Sequence, residues 1–397
     1  MDPDGPCTQT AAVTVLDVDP RVRDWRHQLH RIPETAFGEH HTAQYVAGVL
    51  RGLGFYVATG VGGTGVVGSL TRGSSNRAVG LRCELDALPL QESSGVAYAS
   101  THPGAMHACG HDGHMAMLLG AAAGLAERDF DGTIRLLFQP AEEPGRGAQA
   151  MIDDGLFDRF PLDTLYGLHN MPGMPAGHLL TSPGAIMASE DNFTIAIHGR
   201  GGHASAPHLV IDPLIVAAEI ITALQSIVGR NVDPVATAVV SCTELHTDGA
   251  RNAIPSNVTI TGDTRSFDPA VQAVLEQRVR AISTGIATAH GASVDVTYTR
   301  EFAPTVNDPG ATARAVRAAQ CALGTNRVDG ACAPVMASED FGVLAGHAPA
   351  CLLFLGNGTG PGHGGTPLHS SDYVFNDDIL SAGIAFYTQV VHDSLTA

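Results

Sequence analysis

Residues 133–143 read Thr-Ile-Arg-Leu-Leu-Phe-Gln-Pro-Ala-Glu-Glu. The run from Thr133 to Gln139 is short, apolar and rich in residues that favour sheets, so it reads as a buried strand. It passes through Pro140 and Ala141 directly into two carboxylates, Glu142 and Glu143. Adjacent carboxylates repel each other, which is tolerable at a strand end if one binds a cation and the other handles a proton. Taken alone, the pair also fits a solvated surface dipeptide. Its position after Leu136-Leu137-Phe138, where solvated surface is not expected, favours the first reading.

The neighbouring stretches follow the same plan. Residues 20–55 read as a helix beginning near Arg21, a turn marked by Pro33, and a second helix through Tyr45 and Leu50. Val79 to Leu85 is a short apolar strand ending in Asp86-Ala87-Leu88-Pro89, His114 to Arg128 a buried helix, and Thr164 to Leu168 a strand that delivers His169. Strands alternating with helices imply an α/β sheet covered on both faces. After Pro183 the pattern changes. A strand at Asn192–Gly199 alternates in polarity and leads to a glycine-rich turn at 200–203. A helix follows from about Asp212 to Val228, then strands Ala236–Leu245 and Asn257–Phe267, a helix from Pro269 to about Ala289, and a strand Ser293–Thr299. The order β-α-β-β-α-β is a ferredoxin-like α+β unit complete in itself. From Asp308 the α/β pattern resumes and closes with a helix near Asp378–Asp393. The expected fold is therefore two-domain: residues 1–187 and 303–397 form an α/β domain with a mixed sheet, and residues 188–302 form a smaller inserted domain.

Bulk properties narrow the partners. The chain has 397 residues, 44% of them hydrophobic, and a formal charge of −18 from 22 Lys+Arg against 40 Asp+Glu. That charge repels phosphate backbones and anionic lipid, so nucleic acid and membranes are not expected partners. Nineteen histidines stand outside that charge and suggest metal or proton chemistry. The seven cysteines (7, 83, 109, 242, 321, 332 and 351) are scattered and odd in number, which argues for a reducing cytoplasm over a disulfide framework. The N-terminal twenty residues lack the basic-then-apolar pattern of a secretory signal, and no apolar stretch reaches membrane-spanning length.

Metal-capable residues cluster where the strands end, which is where open α/β sheets bind ligands. Met106 to His114 packs three histidines, Cys109 and Asp112 into a turn before a helix. The Cys109-x-His111 spacing lets two ligands converge from one loop. Thiolate with imidazole suits zinc, and added carboxylates admit manganese, cobalt or nickel. A histidine-rich, capped helix start is the plainer alternative. His169 and His369, each after a short apolar stretch, read equally as hydrogen-bonded core residues, and Glu339-Asp340 as first-turn carboxylates of a helix.

A set of motifs ties these residues together: His30-x-x-Pro33-Glu34, Leu81-Arg82-x-x-x-Asp86-Ala87-Leu88-Pro89, His107-Ala108-Cys109-Gly110-His111-Asp112-Gly113-His114, Phe138-Gln139-Pro140-Ala141-Glu142-Glu143, Gly167-Leu168-His169, Gly201-Gly202-His203, Asn252-x-Ile254-Pro255, Ser338-Glu339-Asp340-Phe341 and Leu368-His369. In this order, over nearly the whole chain, they resemble the M20 metallopeptidase family, and within it the aminoacylases, hippurate hydrolases and indole-acetyl-amino-acid hydrolases. The resemblance implies two divalent metal ions held by Cys109, His111, Glu143, His169 and His369, with Glu142 as general base and Asp86 orienting a ligand. It makes the inserted domain a lid through which the chain forms a homodimer. There His203 is the implied oxyanion donor, in its own site or a partner's, and Asn252 and Arg265 are the implied contacts of a substrate carboxylate. For Arg265, a salt bridge to Asp263 or Asp268 is the competing reading.

The implied activity is hydrolysis of the amide bond of an N-acyl amino acid or a similar small conjugate. Carbamoyl hydrolysis or aryl-amine deamination at the same site, or a non-catalytic metal-binding scaffold, are the alternatives. Cys83, Glu84 and Ser205 depart from the commoner family pattern, which bears on substrate preference and on the surroundings of the ligands more than on the reaction.

Overall fold

The computed structural model describes residues 19–362 and 364–396. Cys7 and nearly all of the N-terminal stretch read above lie outside them. The described chain forms two compact units. One comprises the residues up to Ile186, Val306–Ala333 and the chain from Asp340 onward; the other comprises Met187–Thr305 and Pro334–Glu339.

The first unit is built on an eight-stranded mixed sheet. Its strands lie in the order Tyr56–Val61, Gly65–Arg72, Gly132–Gln139, Ala78–Glu84, Thr164–Pro172, Ala350–Gly358, Leu179–Leu180 and Val328–Asp329. Ala78–Glu84 runs parallel to both its neighbours and is buried at every position, as a strand covered on two faces must be. A hairpin over 56–72, absent from the sequence reading, extends one edge with antiparallel pairing. Helix His111–Ala126 is buried along almost its whole length and packs in one core with helices Arg21–Arg31, His40–Gly52, Pro309–Leu323 and Leu380–Leu395. Leu136 faces that core, while its neighbour Leu137 points to the other side and is equally buried, so both faces of the sheet are covered.

The second unit is a four-stranded antiparallel sheet in the order Ala238–Thr247, Asn257–Ser266, Glu190–His198 and Ser293–Phe302. This is the ferredoxin-like order, with the first strand in the interior of the sheet. Asp191, Phe193, Ile195 and Ile197 are buried and alternate with outward residues, which is the period-two pattern of a sheet with one packed face. Asp268 accepts the N–H of Ala270 and Pro269 occupies the first turn, so helix Pro269–Ala289 begins where its sequence places it. The single helix expected over 212–228 is instead two, Pro213–Leu224 and Ser226–Asn231, that meet at Gln225. Pro334–Glu339 returns to this unit: Ala188 N–H donates to Ala337 O and Thr305 Oγ1 to Glu339 O.

Among the described residues no helix is long and apolar enough to cross a membrane. Cys83, Cys109, Cys242, Cys332 and Cys351 lie outside any disulfide. Cys321 is disulfide-bonded.

Candidate metal centre

Two strand ends, the interior of a third strand and two loops of the first unit carry the candidate residues. Strand Ala78–Glu84 ends just before Asp86, strand Gly132–Gln139 leads to Glu142 and Glu143, and strand Thr164–Pro172 carries His169. Cys109 lies on the loop before helix His111–Ala126, and His111 is the first residue of that helix. His369 sits on the loop before the last helix with φ 62°, and its N–H donates to Ala108 O at 2.9 Å, which ties this loop to the cysteine loop.

Ligand-capable atoms of Cys109, His111 and His169 lie within 4.8 Å of one another, and so do those of Cys109, Glu143 and His369. Cys109 belongs to both groups, so its sulfur lies within reach of both sets of candidate ligand atoms. His111, Glu142 and Glu143 form a third such group that joins the two. A fourth, Glu84 with His111 and His114, is closed by internal bonds, because Glu84 pairs with Arg82 and lies 2.6 Å from His114 Nδ1.

The donors fit a borderline-soft divalent cation. His111 Nδ1 lies 2.9 Å from Asp86 O, and His169 Nδ1 lies 2.7 Å from Asn170 O. A carbonyl oxygen only accepts, so each neutral ring carries its proton on Nδ1 and presents the Nε2 lone pair. His169 Nε2 is 3.4 Å from Cys109 Sγ, and buried His111 Nε2 has no hydrogen-bond partner. An orphaned buried ring nitrogen facing carboxylates is what a cation site looks like without its cation. The charges agree. Burial alone would lower the pKa of His111, but its bond to Asp86 and the nearby carboxylates of Glu84, Asp86 and Glu143 push it up to about 10, so a proton is held where a cation would sit. Burial and the neighbouring His114 imidazole take His169 down to about 3, and burial also lowers His369.

Glu142 is buried, with Oε2 3.9 Å from His111 Nε2. Asp86 Oδ2 accepts the N–H of Glu143 at 3.0 Å, while its carbonyl holds His111. One residue thus contacts two segments that carry candidate ligands. His369 Nε2 lies 3.4 Å from Glu143 Oε2, and the His369 side chain is 55% exposed.

The remaining candidates belong to the second unit. His203 and Ala253 are register partners, so Asn252 lies beside His203, and Asn252 O accepts the N–H of Ala204 at 3.1 Å. His203 Nδ1 accepts the backbone N–H of Ser205 at 3.1 Å and stands 2.7 Å from its hydroxyl. A neutral His203 therefore keeps its proton on Nε2. Arg265 does not offer the free fork expected of it. Nε donates to Asp263 at 2.7 Å, Nη2 to Glu190 at 2.8 Å, and Nη1 to Met336 O and Ser338 Oγ at 3.0 and 2.9 Å. The competing reading, a salt bridge to Asp263, is the one the geometry shows.

Sequence reasoning missed the supports. Glu84, read as a departure from pattern, bridges Arg82 and His114. Asn170 and Tyr373, which contact the ligand-bearing segments, carried no periodic or motif signal beyond their place next to His169 and His369.

A family model described as Peptidase family M20/M25/M40 matches residues 80–393. The hippurate hydrolase of Campylobacter jejuni is 41% identical over 376 residues, covering 95% of this chain and 97% of its own. The N-acyl-L-amino acid amidohydrolase of Geobacillus stearothermophilus is 39% identical over 297 residues, covering 74% and 80%. Among solved structures, a Bacillus subtilis protein described as a dinuclear metal-binding peptidase from the M20 family superposes with a TM-score of 0.81 at 28% identity, over 94% of this chain and 98% of that one.

Proposed function

The chain belongs to peptidase family M20/M25/M40, and on that footing we propose that it hydrolyses the amide bond of N-acyl amino acids or similarly small conjugates. The observation that carries this reading is the membership of Cys109 in both ligand groups, with the carboxylate of Glu142 beside them. Cys109, His111 and His169 would hold one divalent ion and Cys109, Glu143 and His369 a second, the donor set suiting zinc, manganese, cobalt or nickel. Bound there, such ions lower the pKa of a coordinated water and polarise the amide carbonyl.

The protein's own groups supply the rest. Glu142 accepts a proton from the attacking water on a carboxylate oxygen and returns it to the leaving nitrogen, so its carboxylate cycles once per turnover. Asp86 keeps His111 and Glu143 in register. His203, its proton held on Nε2 by the Ser205 contacts, is suited to donate to the oxyanion that forms as the carbonyl becomes tetrahedral. Asn252, exposed next to His203, is the side chain proposed to meet the substrate carboxylate. Arg265 would join it only by exchanging Glu190 or Asp263 for that carboxylate.

We assign the second unit the role of lid and of contact with a second copy of the chain. Its strand Ala238–Thr247 pairs on one side only among the described residues, and Leu214, Ile215, Val235 and Leu245 expose apolar surface on this unit. A cytoplasmic setting suits Cys109, whose sulfur can ligate a metal only while it is reduced.

The test is a panel of N-acetyl, N-benzoyl and long-chain N-acyl amino acids, offered to metal-stripped protein reloaded with zinc, manganese, cobalt or nickel. Release of free amino acid with at least one metal is expected. Ammonia release from a carbamoyl or aryl-amine compound without amide cleavage would move the reaction to those classes, and no release with any metal would leave a binding scaffold.

A further inference from the structure

Asn170 follows His169 on strand Thr164–Pro172 and is fully buried. Its side chain is satisfied at both ends. Nδ2 donates to Cys109 O at 2.6 Å and stands 3.1 Å from His114 Nε2, and Oδ1 accepts from the Tyr373 hydroxyl at 2.6 Å. Its backbone N–H donates to His114 Nε2 at 2.9 Å. Tyr373 lies four residues beyond His369, on the same loop. One buried amide thus touches the segments that carry Cys109, His169 and His369.

The arrangement admits little adjustment. Flipping the amide would set Oδ1 against Cys109 O, two acceptors face to face. His114 accepts at Nε2, so its proton is on Nδ1 and goes to Glu84 Oε2, and Glu84 is held in turn by Arg82. The cysteine loop passes so close that a Cβ at Gly110 would stand 2.4 Å from Asn170 Nδ2 and 2.7 Å from the Tyr373 hydroxyl, and Gly110 has φ 86°. Only glycine brings the loop within reach of that amide.

We infer that Asn170 is the positioning residue of the metal centre: its amide sets the place of the Cys109 thiolate relative to His169 and to the His369 loop. The inference rests on the proposed ligand set. Ligand groups have to be held within about half an ångström of productive geometry, and groups that orient metal ligands typically contribute roughly 10–100-fold in metal affinity.

Cobalt(II) reports on the thiolate directly through its sulfur-to-metal charge-transfer band. Asn170→Ala should bind cobalt about 10–100-fold more weakly in equilibrium dialysis, with a weakened or shifted band, while the metal-free protein still melts in one cooperative transition, at a temperature lowered by the buried groups left unpaired. Wild-type affinity and an unchanged band in that variant would overturn the inference. If Asn170→Ala does not fold, Tyr373→Phe decides, since it removes one hydroxyl and leaves the ring. Weaker cobalt binding with an intact melt supports the positioning role, and unchanged binding refutes it. A wild-type protein that shows no thiolate band would instead bring down the ligand assignment itself, which separates the two failures.

Discussion

The buried carboxylate of Glu39 accepts the backbone N–H of Ala141 at 2.9 Å, and Ala141 holds φ 47°, immediately before the Glu142-Glu143 pair. The same carboxylate accepts from Phe37 N–H and the Thr64 hydroxyl. Burial raises its pKa against the pull of those bonds. A non-glycine residue in the left-handed region needs such a tether, because the conformation is otherwise disfavoured.

Glu39→Ala would leave the Ala141 N–H buried without an acceptor, at a cost of about 1–3 kcal/mol. The turn that aims Glu142 should then relax, lowering kcat more than the content of bound metal. Glu39→Gln keeps an acceptor oxygen and should restore most of the activity. Measured together, kcat and metal content distinguish a displaced base from an emptied site, and equal activity of the Ala and wild-type proteins would remove Glu39 from this role.

Glu142→Gln should retain both metal ions and the fold while kcat falls by about 10²–10⁴-fold, the usual worth of a positioned general base. Emission spectrometry on the dialysed variant checks the metal, and steady-state kinetics check the loss. Near-normal turnover would require another base.

The shared position of Cys109 has a countable consequence. Cys109→Ser should weaken both cation positions together, whereas His169→Ala and His369→Ala should each empty one. Titration with metal at fixed protein gives the stoichiometry. One tight ion left in Cys109→Ser would show that the thiolate serves a single position.

Glu92 gives a pH prediction away from the centre. Burial raises its pKa, but the contacts with His30, Ser94 and the Ser100 N–H outweigh burial and bring it to about 2, against an ordinary value of 4.5. Its folded pKa is depressed, so its contribution is complete above 4.5 and is lost as the pH falls towards 2. His30, raised through Asp112 and Glu92 despite its burial, acts in the opposite sense and stabilises most at acid pH. Metal-free wild type should therefore lose stability more steeply than Glu92→Gln between pH 4.5 and 2 in urea titrations. Parallel curves would contradict the assignment.

The elements with a regular pattern were legible. Residues 133–143, the alternation over 192–199 and the helix start at Pro269 each announce themselves within a dozen residues. Cys109 and His111 are legible for the same reason, since two ligands two residues apart form a local signal. His369 is not, because what brings it to Glu143 is a left-handed backbone angle and a bond to Ala108. Glu39, Asn170 and Tyr373 are single polar residues whose partners lie far along the chain, and no local pattern marks such pairings. Arg265 is the implied contact of a substrate carboxylate, with a salt bridge to Asp263 or Asp268 as the competing reading, and Asp263 is one of its partners. The contacts with Met336 and Ser338 arise 71 and 73 residues later and depend on a return of the chain that no composition shift signals.

That return has a practical side. The chain passes between the two units four times, after Ile186, Thr305, Ala333 and Glu339. A fragment cut at 187 and 305 would leave Arg265 between Asp263 and Glu190 without the Met336 carbonyl or the Ser338 hydroxyl, and Ala188 without the acceptor at Ala337. Anyone transplanting this domain onto another scaffold has to carry residues 334–339 along on a linker, for the excised piece is otherwise a garment missing its last seam.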